Sequence, residues 1–209
     1  FVFHHDGTPF ETWPSTGVTG MGGSEMRNRI TIGNIDADPE PEILYAGVTG
    51  PTAALFVYNT DGSLVYTKTD AGMPTSVVLV DLWDDAGADF GQDGIYEVAY
   101  GRNILDSTGS VFLSVPGVIT QGQTPEFIDF NHDGVVEAVY TIDTKTVNVY
   151  DFVLGDLLAG WPQIAEGARV GSFHHWWATY PLVADLDGDN SLEVIVVTGY
   201  ATIEDGVEA

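Results

Sequence analysis

A nine-residue acidic stretch recurs along this chain. It reads NIDADPEPE at 34–42, DFNHDGVVE at 129–137 and DLDGDNSLE at 185–193, and a longer copy, DLWDDAGADFGQDGIYE at 81–97, begins and ends in the same way. The copies start at Asn34, Asp81, Asp129 and Asp185, a period of roughly 47 to 56 residues. Self-similarity at a fixed spacing constrains the fold more tightly than composition does. Each repeat is one supersecondary unit that cannot bury its apolar face alone, so neighbouring units must stack to make a core.

The flanks of the acidic stretches say what each unit contains. Apolar residues come in short runs, RITIGNI, EILYAGV, ALFVYNT, SVVLVDL, YEVAYG, TVNVYDF, YPLVADL and LEVIVVTG, rich in β-branched and aromatic side chains and broken by Gly, Asp, Asn and Pro. Such runs favour strands, and no helical period competes with them, so the chain reads as all-β. Turn signals follow in phase at Asp61-Gly62, Thr108-Gly109 and Gly155-Asp156, with Asp6-Gly7 ahead of the first unit and Trp-Pro after two of them, at Trp13-Pro14 and Trp161-Pro162. Each unit therefore reads strand, acidic loop, strand, hairpin, strand, at the length of a four-stranded propeller blade.

Carboxylates packed this closely repel one another unless something positive sits among them. Side-chain oxygens at positions one, three and five, a main-chain carbonyl at seven and a carboxylate at nine can wrap one hard cation, and an all-oxygen set of this size suits Ca²⁺ better than the smaller, more hydrated Mg²⁺. Position six calls for a left-handed backbone, which Gly94, Gly134 and Asn190 can adopt. The fourth copy offers Asp185, Asp187, Asp189 and Glu193 with the Ser191 carbonyl, and the third offers Asp129, Asn131, Asp133 and Glu137 with the Val135 carbonyl. The first offers Asn34, Asp36, Asp38 and Glu42, but Pro39 stands at its sixth position and cannot take positive φ, so its turn must differ. In the second, Asp81, Asp93 and Glu97 align, while the insertion leaves position three among Trp83, Asp84 and Asp85, with Asp85 favoured. One copy alone could equally be an Asp-rich solvated turn; four in phase favour the cation.

Charge points the same way. The chain of 209 residues carries 31 acids against 6 Lys and Arg, a formal charge of −25, which disfavours nucleic acid and anionic membrane surfaces as partners and favours cations. No apolar run approaches the ~20 residues needed to span a bilayer. Cysteine is absent, which removes disulfides and thiolate metal sites. No nucleophile elbow, P-loop, dinucleotide fingerprint or HExxH is present, so an enzyme is the less favoured reading. The cluster FHHWW brings His174, His175, Trp176 and Trp177 together as possible ligand-contact residues, although adjacent strand residues face opposite ways and the two imidazoles would not share one ion.

Four loops of the form D-x-[DN]-x-D-G-x-x-E between strands, at blade spacing over nearly the whole chain, resemble the FG-GAP/VCBS repeats of integrin-α-type β-propellers, although the literal Phe-Gly and Gly-Ala-Pro words are absent. The resemblance implies a propeller in which Ca²⁺ pins the link between the first two strands of each blade. It implies an extracellular or cell-surface setting, and a structural, adhesion or protein-interaction role with another protein or a surface glycan as partner. The alternative is a carbohydrate-active propeller, polysaccharide lyase-like or lectin-like, using His174 to Trp177. On this reading the repeats run approximately 27–74, 75–122 and 123–172, between half-blades at 1–26 and 173–209. Those halves would either close a small four-bladed ring or mark an arc of a larger ring of six to eight blades, a segment of something longer.

Overall fold

A computed structural model describes residues 3–9, 30–49, 52–70, 76–84, 89–117, 125–142, 146–164 and 181–196. All of its regular structure is strand, as the short apolar runs require. The first sheet is a four-stranded antiparallel meander, β1 (Ile30–Gly33), β2 (Glu42–Thr49), β3 (Thr52–Tyr58) and β4 (Leu64–Asp70), paired in chain order. The second repeats it with β5 (Val77–Val80), β8 (Glu97–Tyr100), β9 (Asn103–Leu105) and β10 (Val111–Ser114). Between β5 and β8 the inserted residues form their own small ribbon, β6 (Trp83–Asp84) against β7 (Asp89–Phe90). The third sheet is β11 (Glu126–Ile128), β12 (Glu137–Ile142), β13 (Thr146–Asp151) and β14 (Asp156–Leu157), with β15 (Gln163–Ile164) folding back onto β13. A fourth sheet comprises β16 (Leu182–Ala184) and β17 (Glu193–Ile195). Two strands, not one, separate the acidic loops of the first three sheets from the turns at Asp61-Gly62, Thr108-Gly109 and Gly155-Asp156, so the unit is richer by a strand than those turn signals alone suggest.

Consecutive sheets share cores, and side-chain alternation makes this possible. Leu44, Ala46, Leu55 and Val57 of the first sheet pack with Val77, Val98, Tyr100 and Leu105 of the second. The opposite face of the second sheet gives Val80 and Ile104 to a core with Ala138, Tyr140 and Phe152. In β12 the intervening Val139 turns the other way, joining Val147 and Val149 against Val183 and Val194 of the fourth sheet. Strands β8 and β12 are thus buried on both faces, and each fully buried Val or Leu contributes roughly 1.5–3 kcal/mol. The outer face of the first sheet, by contrast, leaves Ile30 and Ile32 largely exposed, and Leu182 does the same on the fourth.

Polar contacts tie the first sheet to the second. The Thr31 hydroxyl donates to the Val77 carbonyl at 3.0 Å, and Lys68 Nζ donates to the Gly109 carbonyl at 3.1 Å. Gly109 sits at φ 80° against the Tyr66 ring, where a Cβ would lie 2.7 Å from the nearest ring carbon, so any other residue in the turn between β9 and β10 would both strain the backbone and displace the ring.

Candidate metal centres

Every acidic loop connects the first strand of a sheet to the second. In each, the closing glutamate opens the second strand opposite the last residue of the first: Glu42 faces Gly33, Glu97 faces Val80, Glu137 faces Ile128 and Glu193 faces Ala184. From there the carboxylate reaches back into the loop. Glu42 accepts the Ile35 amide at 2.9 Å, Glu97 the Leu82 amide at 2.8 Å, Glu137 the Phe130 amide at 2.7 Å and Glu193 the Leu186 amide at 2.7 Å. Positions one and five are fixed by the same logic. Asp81 accepts the amides of Asp93 and Gly94, Asp129 those of Asp133 and Gly134, and Asp185 those of Gly188 and Asn190. At position five, Asp38, Asp93, Asp133 and Asp189 each accept the amide two residues on, at Glu40, Ile95, Val135 and Ser191. These bonds leave lone pairs on the carboxylates while fixing their direction.

The backbone takes the left-handed turns that position six asks for. Gly94 lies at φ 88°, Gly134 at φ 93° and Asn190 at φ 72°. The loop at 34–42, with Pro39, contains no positive φ and turns differently. It instead steps through Asp36 donating its amide to Asn34 Oδ1 and Asp38 donating to Asp36 Oδ1, with Asn34 Nδ2 bonded to the Asp38 carbonyl at 2.8 Å.

Three acidic groups that could hold a metal ion form among the described residues, each with its ligand atoms within 4.8 Å of one another: Asp36, Asp38 and Glu42; Asp133, Glu137 and Asp151; Asp185, Asp187 and Glu193. The first forms despite Pro39. Asp129 and Asp189 stand outside these groups. Asn131 points its Nδ2 at Asp133 and Glu137, at 3.0 and 3.3 Å, while its Oδ1, the expected ligand atom, accepts the Asp133 amide. Around Asp81, Asp93 and Glu97 no such group forms among the described residues, and Trp83 packs edge-on against Phe90 at 5.1 Å instead of offering a ligand position. Asp85 lies outside the described residues, as do His174, His175, Trp176 and Trp177.

Asp151 is the member that loop spacing alone does not reveal. It closes β13, and the register Ala138 to Tyr150 sets it beside Glu137. A signal exists once the repeats are aligned: an acid or amide closes the third strand of a meander or follows it directly, Asn59 after β3, Asp106 after β9 and Asp151 at the end of β13. Asp151 also organises the turn, accepting the amides of Val153 and Leu154.

Electrostatics distinguish the ninth position from the rest. Glu137 is 0% and Asp151 3% exposed. Burial, reinforced by the Asp133 and Asp151 carboxylates and opposed by the Phe130 amide, pushes Glu137 up to about 7. Glu42 is raised for the same first reason, against the Ile35 amide and with help from Asp36 and Asp38. Exposed Asp189 is held below the ordinary carboxylate range by the Ser191 amide and hydroxyl. Compared with protein-family models, with curated proteins and with solved structures, the chain shows no match.

Proposed function

We propose that the chain is a Ca²⁺-stabilised β-propeller of the FG-GAP/VCBS kind, serving outside the cell or at its surface as a non-enzymatic structural, adhesion or protein-interaction module. One observation carries the cation: buried Glu137 and Asp151 converge with Asp133 in a chain with 6 basic residues to offer. A cluster of this kind needs protons or a cation to offset its repulsion and its lost hydration. The donors are all oxygen, and a span of 4.8 Å is one that a cation with bonds of about 2.3–2.6 Å can bridge. Asp133, Glu137 and Asp151 would hold one ion, Asp185, Asp187 and Glu193 a second, and Asp36, Asp38 and Glu42 a third. Bound calcium would supply structural cross-linking of the first two strands of the first, third and fourth sheets. Modest sites of this sort stay filled at the millimolar calcium found outside cells, which supports the extracellular setting. Three successive meanders sharing cores face to face, with the same loop at the same place in each, support the propeller. Binding to another protein or a surface glycan would then fall to the loops.

Thermal unfolding with and without calcium tests the reading. Each site filled a hundredfold above its dissociation constant adds about 2.7 kcal/mol, so chelation should lower Tm markedly. Asp133→Ala and Asp187→Ala should each remove part of the calcium-dependent increment, and Asp70→Ala, which belongs to no acidic loop, should remove none. A Tm indifferent to millimolar calcium, or equal losses from all three variants, would overturn it.

A further inference from the structure

Two non-glycine residues take positive φ among the described residues, His132 at 62° and Asn190 at 72°, and they touch each other. His132 Nε2 lies 2.8 Å from the Asn190 carbonyl oxygen, which can only accept, so the Nε2 proton is the donor. The bond spans 58 residues and joins the loop at 129–137 to the loop at 185–193. Its two ends are built into the loops' own bonding. Asp133, next to His132, donates its amide to Asp129 and Asn131, and Asn190 donates its amide to Asp185 Oδ2. A left-handed non-glycine residue persists where its surroundings compensate for it, and at both positions part of that compensation comes from the neighbouring loop. We propose that the His132–Asn190 hydrogen bond couples the two loops, so that ordering one by a bound cation raises the affinity of the other. The inference rests on the cation reading and adds its regulation: the third and fourth sites fill as a pair. His132 acts here as a positioning residue, contributing no ligand.

The test is a calcium titration of the full chain followed at individual amides by NMR, with Gly134 reporting the third loop and Gly188 the fourth. One net hydrogen bond sets the scale of coupling at about 2- to 12-fold. With His132 in place, Asp133→Ala should weaken the calcium midpoint at Gly188 by that factor, and Asp187→Ala should weaken the midpoint at Gly134 equally, because coupling is reciprocal. His132→Asn, which tolerates the left-handed backbone but is too short to bridge, and His132→Gly, which relaxes the backbone altogether, should each abolish the cross-effect. His132→Gln, which restores a donor, should recover it. A cross-effect undiminished in both loss variants, or absent with His132 present, overturns the coupling while leaving calcium binding intact. Amides that ignore millimolar calcium in every variant overturn the cation reading and the coupling with it.

Discussion

Glu137 carries the sharpest consequence of the site because its environment is unfavourable without a partner. Folding removes it from water beside two other carboxylates, so the folded chain holds the Glu137 proton up to about 7, against 4.5 when exposed. A raised folded pKa means that the folded state binds more protons, so the metal-free chain loses stability as pH rises from about 4.5 through about 7. Glu137→Gln keeps an oxygen for the Phe130 amide and removes the charge. In metal-free buffer at neutral pH it should raise Tm by about 2–4 °C, corresponding to about 1 kcal/mol in a chain of this size, and flatten the pH slope relative to the parent. In saturating calcium the sign should invert, the variant melting below the parent. A variant destabilised under both conditions would show that Glu137 acts through its hydrogen bonds alone. Glu137, Asp133 and the turn glycine were legible because their spacing within nine residues is local. Asp151 was not, because only the long-range register of β12 on β13 sets it beside the loop.

At the scale of elements, strands were legible where apolar alternation was strong and turns where Gly supplied positive φ, as at Gly62 and Gly109. The insertion in the second loop was less so. Its sequence, WDDAGADF, shows acids at the spacing of ligands, yet Trp83 and Phe90 pair across a ribbon and draw the local backbone into strands. Aromatic cross-strand pairing outweighs carboxylate spacing there. The third loop is buttressed differently: Trp161 packs edge-on against Phe130 at 5.8 Å, brought there by β15 returning to β13. Burial then ranks the elements. Strands β8 and β12 are covered on both faces, and β1 and β16 on one. Local opening follows that ranking, so hydrogen exchange should be slowest at Val98–Tyr100 and Ala138–Thr141. At Thr31 and Val183 it should be at least about tenfold faster, a difference of about 1.4 kcal/mol in opening. Uniform protection across the four sheets would mean that the outer faces are as well covered as the inner ones.

For the molecule as a whole, the order of the sheets was legible because each repeat must stack on its neighbour, but the two faces of one strand look alike in sequence. Ile32 and Leu44 are both aliphatic strand residues, and only packing sends Leu44 into a core and leaves Ile32 at 62% exposure. Charge is legible at this scale without any structure. Three cations in the three acidic groups would offset about six charges and leave most of the −25 in place. With the sites filled, the remaining repulsion acts between surface carboxylates over distances comparable to the Debye length, about 10 Å at 0.1 M salt. The unfolded chain spreads the same charges farther apart, so the folded state is the one that repulsion penalises. At saturating calcium, Tm should therefore rise with NaCl by several degrees between about 0.02 and about 0.5 M and then level as screening becomes complete. Subsaturating calcium should blunt or reverse the rise, because the same screening weakens the attraction between the loops and their ions. A Tm that falls with salt under saturating calcium would mean that paired charges, and not unpaired ones, dominate the surface.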